Sequence, residues 1–201
     1  MNTVITISRE FGSGGREFAR RLANKLGFAY YDSEIITELA KRTNLAEEYI
    51  TALNEQSPAP LIPITIGHTF SPMMAGAWEQ QTNLFVEQSN LLKELAEKSD
   101  CVIVGRCADY SLREFNPVRI RLYAQLDSRI ARCKARAAEG EKYTEREIKQ
   151  KIREVDKARA NYYRFYTGKK WDDAINYDYM INTTGKDIKK LAEDLSIMFT
   201  K

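Results

Sequence analysis

The residues of this sequence that could do chemistry are a run of glycines and a set of arginines. Gly12-Ser13-Gly14-Gly15 lies between an apolar stretch, Val4, Ile5 and Ile7, and a helical repeat, Phe18, Leu22 and Leu26. The β-branched stretch predicts a buried strand, and the i, i+4 spacing that follows predicts a helix closed by Gly27. Strand, glycine turn and helix in that order suit an anion. Glycine lets backbone N–H groups approach it closely, and a helix N-terminus adds partial positive charge. The same residues also suit a tight turn that binds nothing. Arg9 and Arg16 flank the turn.

A phosphate-binding loop of the form G-x-x-x-x-G-K-[ST] has glycine first, lysine seventh and a hydroxyl eighth. In the window Arg9–Arg16 those positions hold Arg9, Gly15 and Arg16. The lysine's point charge and the hydroxyl that would ligate a metal are both missing. Arg9 and Arg16 can restore charge, but an arginine cannot coordinate a metal.

Further arginines recur down the chain. Arg106 follows Gly105 at the end of Cys101-Val102-Ile103-Val104, a continuous apolar run that predicts a central parallel strand. At a strand end beside the glycine turn, Arg106 suits an anionic ligand better than a structural ion pair. Arg129, Arg132 and Arg136 share one helical face, which is either solvated or closes on phosphate. Arg153, Asp156 and Arg159 are spaced i, i+3, i+6. They either present donors and an acceptor to a nucleotide or form an ion-pair ladder. Tyr162, Tyr163, Phe165 and Tyr166 follow, placed to stack on a base or to pack on the main body. Asp32 either caps the next helix or meets a ligand at the sheet edge.

The elements that must position these groups alternate. Strands are expected near 4–7, 28–30, 101–104, 118–124 and 177–182. Helices are expected after 15, after 33, over 45–56 and 77–98, from 127, over 144–166 and over 187–199. Residues 57–76, with four prolines and Gly67, read as an irregular loop. His68 lies there and is assigned no role. The pattern predicts one α/β domain over 1–201, with a mostly parallel sheet of about five strands and helices on both faces.

At 201 residues and 43% hydrophobic, the chain can build a proper core. A net charge of +3 with interspersed signs argues against a general nucleic-acid binder. No apolar run reaches the ~20 residues that span a bilayer, and no signal peptide is evident. Three cysteines without zinc-type spacing are expected as reduced thiols in a cytoplasmic protein.

Taken together, these segments resemble the cytidylate kinase-like branch of the nucleoside monophosphate kinases over nearly the full length. ITISREFGSGGREFARRLANKLGFAYYD is similar to that branch's P-loop, first helix and following YD; CVIVGRCADY to its third strand ending in Gly-Arg; RIRLYAQLDSRIARCKAR to its fourth strand and lid start. IREVDKARANYYRFYTGKKWDDAINYDYMINTTG is similar to its lid exit and final strand.

The resemblance implies a P-loop kinase fold with a helical lid near 127–165, and transfer of the γ-phosphoryl of ATP to CMP, dCMP or a related small acceptor, with Mg²⁺. It places Arg9, Gly12, Ser13, Gly14, Gly15 and Arg16 on the ATP phosphates and Asp32, Arg106, Asp156 and Arg159 on the acceptor. Arg16, Arg132 and Arg136 take catalytic roles. Val104 stands where the family carries an aspartate that organises the metal site, so no protein ligand for Mg²⁺ is identified. The alternative is a nucleotide-binding regulatory module that has lost transfer chemistry. The expected partners are nucleotides, with neither nucleic acid nor membrane, and the oligomeric state, a homodimer included, is left open.

Overall fold

The computed structural model describes residues 2–45, 47, 72–136 and 143–199. The helix expected over 45–56, residues 57–71 and His68 fall outside them. Strands β1 (Val4–Arg9), β2 (Ala29–Tyr31), β3 (Cys101–Val104), β4 (Val118–Tyr123) and β5 (Tyr179–Asn182) form one sheet in the order β2-β3-β1-β4-β5. Every pairing is parallel. The helices are α1 (Gly15–Leu26), α2 (Glu34–Thr43), α3 (Pro72–Lys98), α4 (Ala108–Ser111), α5 (Leu126–Arg136), α6 (Glu145–Thr167) and α7 (Ile188–Ser196).

The period-2 geometry of β1 divides the core. Ile5 and Ile7 face α1 and α7 together with Val102, Val104, Ile120 and Leu122. Val4 faces α2, α3 and α4 together with Cys101 and Ile103. On α1 the i, i+4 pair Phe18 and Leu22 is fully buried, which stabilises the helix by roughly 2–3 kcal/mol per side chain. All three cysteines are free. No helix among the described residues is long and apolar enough to cross a membrane.

Several boundaries differ from the sequence expectation. Helix α3 starts at Pro72, not 77, so residues 72–76 belong to a helix rather than to the irregular loop. Proline is tolerated in a first turn, where its missing N–H has no intrahelical partner to lose. The last strand is shorter, beginning at Tyr179. The last helix stops at Ser196, followed by a 3₁₀ turn, Ile197–Phe199.

The order of strands sets the place of the site. From β1 the chain crosses toward β2 through α1, and from β3 it crosses over β1 to β4. The C-terminal end of β1 is therefore a topological switch point, where open parallel sheets leave a crevice. The glycine turn, Gly105-Arg106 and the middle of α6 all meet there.

Candidate functional site

The turn after β1 is held from outside by one buried arginine. Arg129 of α5 donates through Nε to the Phe11 carbonyl at 2.7 Å and through Nη1 to Glu10 Oε2 at 3.2 Å. Its Nη2 donates to Asp156 of α6. Asp156 in turn accepts the Phe11 N–H at 2.8 Å. Inside the turn, the Ser13 hydroxyl donates to the Glu10 carbonyl at 2.8 Å, and the Ser13 carbonyl accepts from Thr183 Oγ1 at 2.7 Å. The loop is thus fixed before any ligand arrives.

What remains unpaired in it is the start of α1. Helix α6 opens on a complete capping box from Thr144 and Glu147, and α7 on the Asp187 carboxylate. Helix α1 begins at Gly14 with no side-chain cap. Gly14, Gly15 and Arg16 at this helix start line a cleft, and the orphaned N–H donors of a helix start favour an anion.

Four arginines surround this point. Arg16 Nε lies 2.5 Å from Asp32 Oδ2, and Arg9 Nη2 lies 3.8 Å from Asp32 Oδ1. Asp32 is buried, and Ser33 rather than Asp32 occupies the N-cap of α2. The carboxylate is paired with both arginines and accepts from Tyr30 Oη at 3.4 Å. Arg159 donates to the Arg9 carbonyl at 3.1 Å. Arg106 is delivered by a turn in which Gly105, Arg106 and Cys107 all have left-handed φ, 74°, 61° and 50°. For the two non-glycine residues that conformation costs about 1–3 kcal/mol each. Gln88 of α3 holds the turn by donating to the Arg106 carbonyl at 3.1 Å. Burial, and then the charge of Arg159, push the Arg9 guanidinium down to about 9, with Asp32 opposing and Arg106 and Arg16 adding to the effect. Several cations against one carboxylate is an arrangement that a polyanion would relieve.

Helix α6 divides the crevice in two. One cleft is walled by the glycine turn, α5 and α6, through Gly12, Gly14, Gly15, Arg16, Arg132, Arg136 and Lys151. The other lies over the ends of β1 and β3, through Ser8, Arg106, Asp109, Tyr162, Tyr163, Trp171 and Tyr177. Arg9 and Arg159 line both clefts.

The structure thus brings together Arg9, Arg16, Asp32, Arg106 and Arg159 around the turn. The other residues singled out in the sequence sit in different surroundings. Asp156 is bonded to the loop backbone and Arg129. Arg132 donates to the Thr183 and Lys186 carbonyls at the end of β5, and burial, then Arg136, lower its pKa. Arg136 pairs with Glu17 of α1 at 2.5 Å.

Sequence reasoning missed the polar floor of the second cleft. Arg121 of β4 is only 2% exposed. It packs over the Trp171 ring at 4.0 Å and donates to the Trp171 carbonyl and Ser8 Oγ. Tyr177 donates to the same carbonyl at 2.6 Å. Across the cleft, Tyr163 donates to Asp109 at 2.6 Å, and burial raises the Asp109 carboxyl above its ordinary pKa. The sequence carried little signal for it, because Arg119 and Arg121 alternate with apolar residues in the same way.

The turn lacks the hydroxyl that an ordinary loop lends to a metal. Arg16 stands at the hydroxyl position, the Ser13 hydroxyl is used inside the loop, and Val104 is fully buried. Among the described residues no group of three or more His, Cys, Asp or Glu side chains could hold a metal ion. The uncapped start of α1 and its arginines do fit a chain of phosphates.

A five-stranded parallel sheet, with a glycine turn feeding a helix at its switch point, defines a P-loop kinase fold. The chain belongs to the cytidylate kinase-like family, whose model matches residues 4–185. Among solved structures it is similar to an uncharacterized protein from Eubacterium ventriosum, 26% identical over 98% of both chains with a TM-score of 0.70. It shares its fold with the shikimate kinase of Bacteroides thetaiotaomicron, 17% identical over 98% of both chains, TM-score 0.56. The shikimate kinase of Acinetobacter baumannii, in complex with shikimate, is 17% identical over 99% of this chain and 93% of that one, TM-score 0.53. No curated protein matches the sequence.

Proposed function

We propose that the protein transfers the γ-phosphoryl group of ATP to CMP, dCMP or a related small acceptor. The observation that carries this is the pair of clefts meeting at Arg9 and Arg159. Two substrates bound on either side of α6 would place donor and acceptor phosphates on the same two cations. The cleft at the glycine turn takes the ATP phosphates, on Gly12–Arg16 and the first turn of α1. The second takes the acceptor, on Arg106 and Arg159, with Asp32 orienting the arginines. Helices α5 and α6 form the lid, carrying Arg132 and Arg136 at the edge of the ATP cleft.

In the reaction an acceptor phosphate oxygen forms a bond to the γ-phosphorus as the bond to the β–γ bridging oxygen breaks, and ADP leaves with that electron pair. The attacking oxygen is already anionic, so no general base is needed. Mg²⁺, where bound to the nucleotide, supplies further charge neutralisation. The chain's own contribution is positioning and positive charge, which carry most phosphoryl-transfer catalysis.

The test is a turnover assay with ATP and Mg²⁺ against a panel of nucleoside monophosphates. Saturable turnover on a cytidine nucleotide is expected, and Arg16→Ala should lower it at least ~10-fold through loss of one charge-assisted contact. Absence of nucleotide binding would reject the proposal. A second reading, a regulatory module that binds nucleotide without transfer, is favoured by the missing lysine, hydroxyl and Val104 aspartate. Calorimetric binding of ATP without turnover on any acceptor would select it.

A further inference from the structure

The departures at positions 9 and 15 of the loop are sterically linked. A Cβ added at Gly15 would overlap Arg9 Cβ and lie 2.9 Å from Arg9 Cγ. These are atoms at the root of the side chain, which cannot swing aside. Any residue but glycine at 15 therefore conflicts with any residue but glycine at 9. The ordinary loop has the reverse arrangement, glycine first and lysine seventh. Beyond Gly15 the Arg9 side chain runs on to Gly105, where an added Cβ would overlap its Nη1. Its guanidinium ends beside Asp32 and between the two clefts.

We propose that Arg9 and Gly15 are a reciprocal exchange of the loop's glycine and lysine, which moves its phosphate-binding cation from the first turn of α1 to the end of β1. Arg9 then touches the phosphoryl group as it passes from donor to acceptor. The inference rests on the phosphotransfer reading above. A lysine rooted at position 15 would reach phosphate from the helix side. Arg9 reaches it from the strand side, buttressed by Gly105 and oriented by Asp32. Its planar fork offers two parallel donors where an ammonium offers a point charge. The role is electrostatic and moves no proton. Burial among Arg159, Arg106 and Arg16 gives this cation much to gain from an oxyanion.

The test is a double-mutant cycle on the full chain with Arg9→Gly, Gly15→Lys, the combined variant, and Gly15→Ala in both backgrounds. Binding of inorganic tripolyphosphate and of ATP is followed by calorimetry, with thermal unfolding as an independent measure. Arg9→Gly should weaken tripolyphosphate about 10–100-fold, and the combined variant should recover most of that loss. Gly15→Ala should lower the melting temperature when Arg9 is present and have little effect when it is glycine. Equal destabilisation in both backgrounds would overturn the exchange. Undiminished tripolyphosphate affinity in a folded Arg9→Gly protein would overturn the role of Arg9 while leaving the phosphate cradle intact. Failure of the wild-type protein to bind tripolyphosphate or ATP would overturn both that role and the phosphotransfer reading.

Discussion

Alanine at Arg106 should raise the KM for the acceptor about 10–100-fold and leave ATP affinity within about 2-fold, whereas alanine at Arg159 should impair both and lower kcat a further ~10²–10³-fold. The two arginines look alike in sequence, each following a feature shared with cytidylate kinases. They differ in position. Of these two clefts Arg106 lines the one over β1 and β3, while Arg159 lines both. Truncating Arg106 should leave its turn in place, because Gln88 holds the turn through the backbone carbonyl. Truncating Arg159 removes a cation facing both substrates and the hydrogen bond to the Arg9 carbonyl. A loss confined to KM reports ground-state binding, and a loss in kcat reports charge stabilisation in the transition state. Steady-state kinetics with each substrate varied, together with calorimetry for ATP, separate the two. Identical profiles for both variants would refute the division of the crevice by α6.

The strand–turn–helix unit from Val4 to Leu26 was legible because its determinants are local: β-branched run, glycines and i, i+4 apolar spacing. So was β3, whose four residues are all buried. Side chains whose roles depend on distant partners were less legible. Helical spacing put Arg129, Arg132 and Arg136 on one face. It could not show that Arg129 is buried against Phe11 while Arg136 lies half in solvent. The i, i+3, i+6 pattern offered Asp156 as a ladder or nucleotide contact. Its observed partner, the Phe11 N–H, lies 145 residues away in sequence. The alternation in VRIRLYA treats Arg119 and Arg121 alike. One pairs with Asp178 near the surface, and the other is buried beneath Trp171. Period 2 assigns residues to a face but not to what covers it. The glycine at 15 reads in sequence as a missing lysine. Only the path of the Arg9 side chain shows why no other residue fits.

Alanine at Arg129 should be the most destabilising arginine substitution among the loop and lid residues, by about 3 kcal/mol. For a domain of this size that corresponds to a fall in Tm of roughly 6–12 °C. Arg129 is 7% exposed and joins three acceptors from two places in the chain: the Phe11 carbonyl and Glu10 in the loop, and Asp156 on α6. Removing it leaves two carboxylates near one another with reduced compensation. Glu10 retains the Ala124 N–H and Arg121 at 4.0 Å, and Asp156 retains the Phe11 N–H. Those contacts keep the cost near the lower end for a broken buried pair. Lysine should not rescue, since one ammonium on a flexible stem cannot reproduce a planar fork bonded in three directions. The control is Arg136→Ala. Its side chain is 49% exposed and its pair with Glu17 is screened by solvent, so the expected cost is under ~1 kcal/mol. Asp156→Ala combined with Arg129→Ala should be less damaging than the sum, because the second change removes a carboxylate that the first left uncompensated. Urea or thermal unfolding of wild type, Arg129→Ala, Arg129→Lys, Arg136→Ala, Asp156→Ala and the double variant measures all of this. A Tm for Arg129→Ala within about 2 °C of wild type, which the same scale equates to under ~1 kcal/mol, would show that the loop does not depend on this arginine.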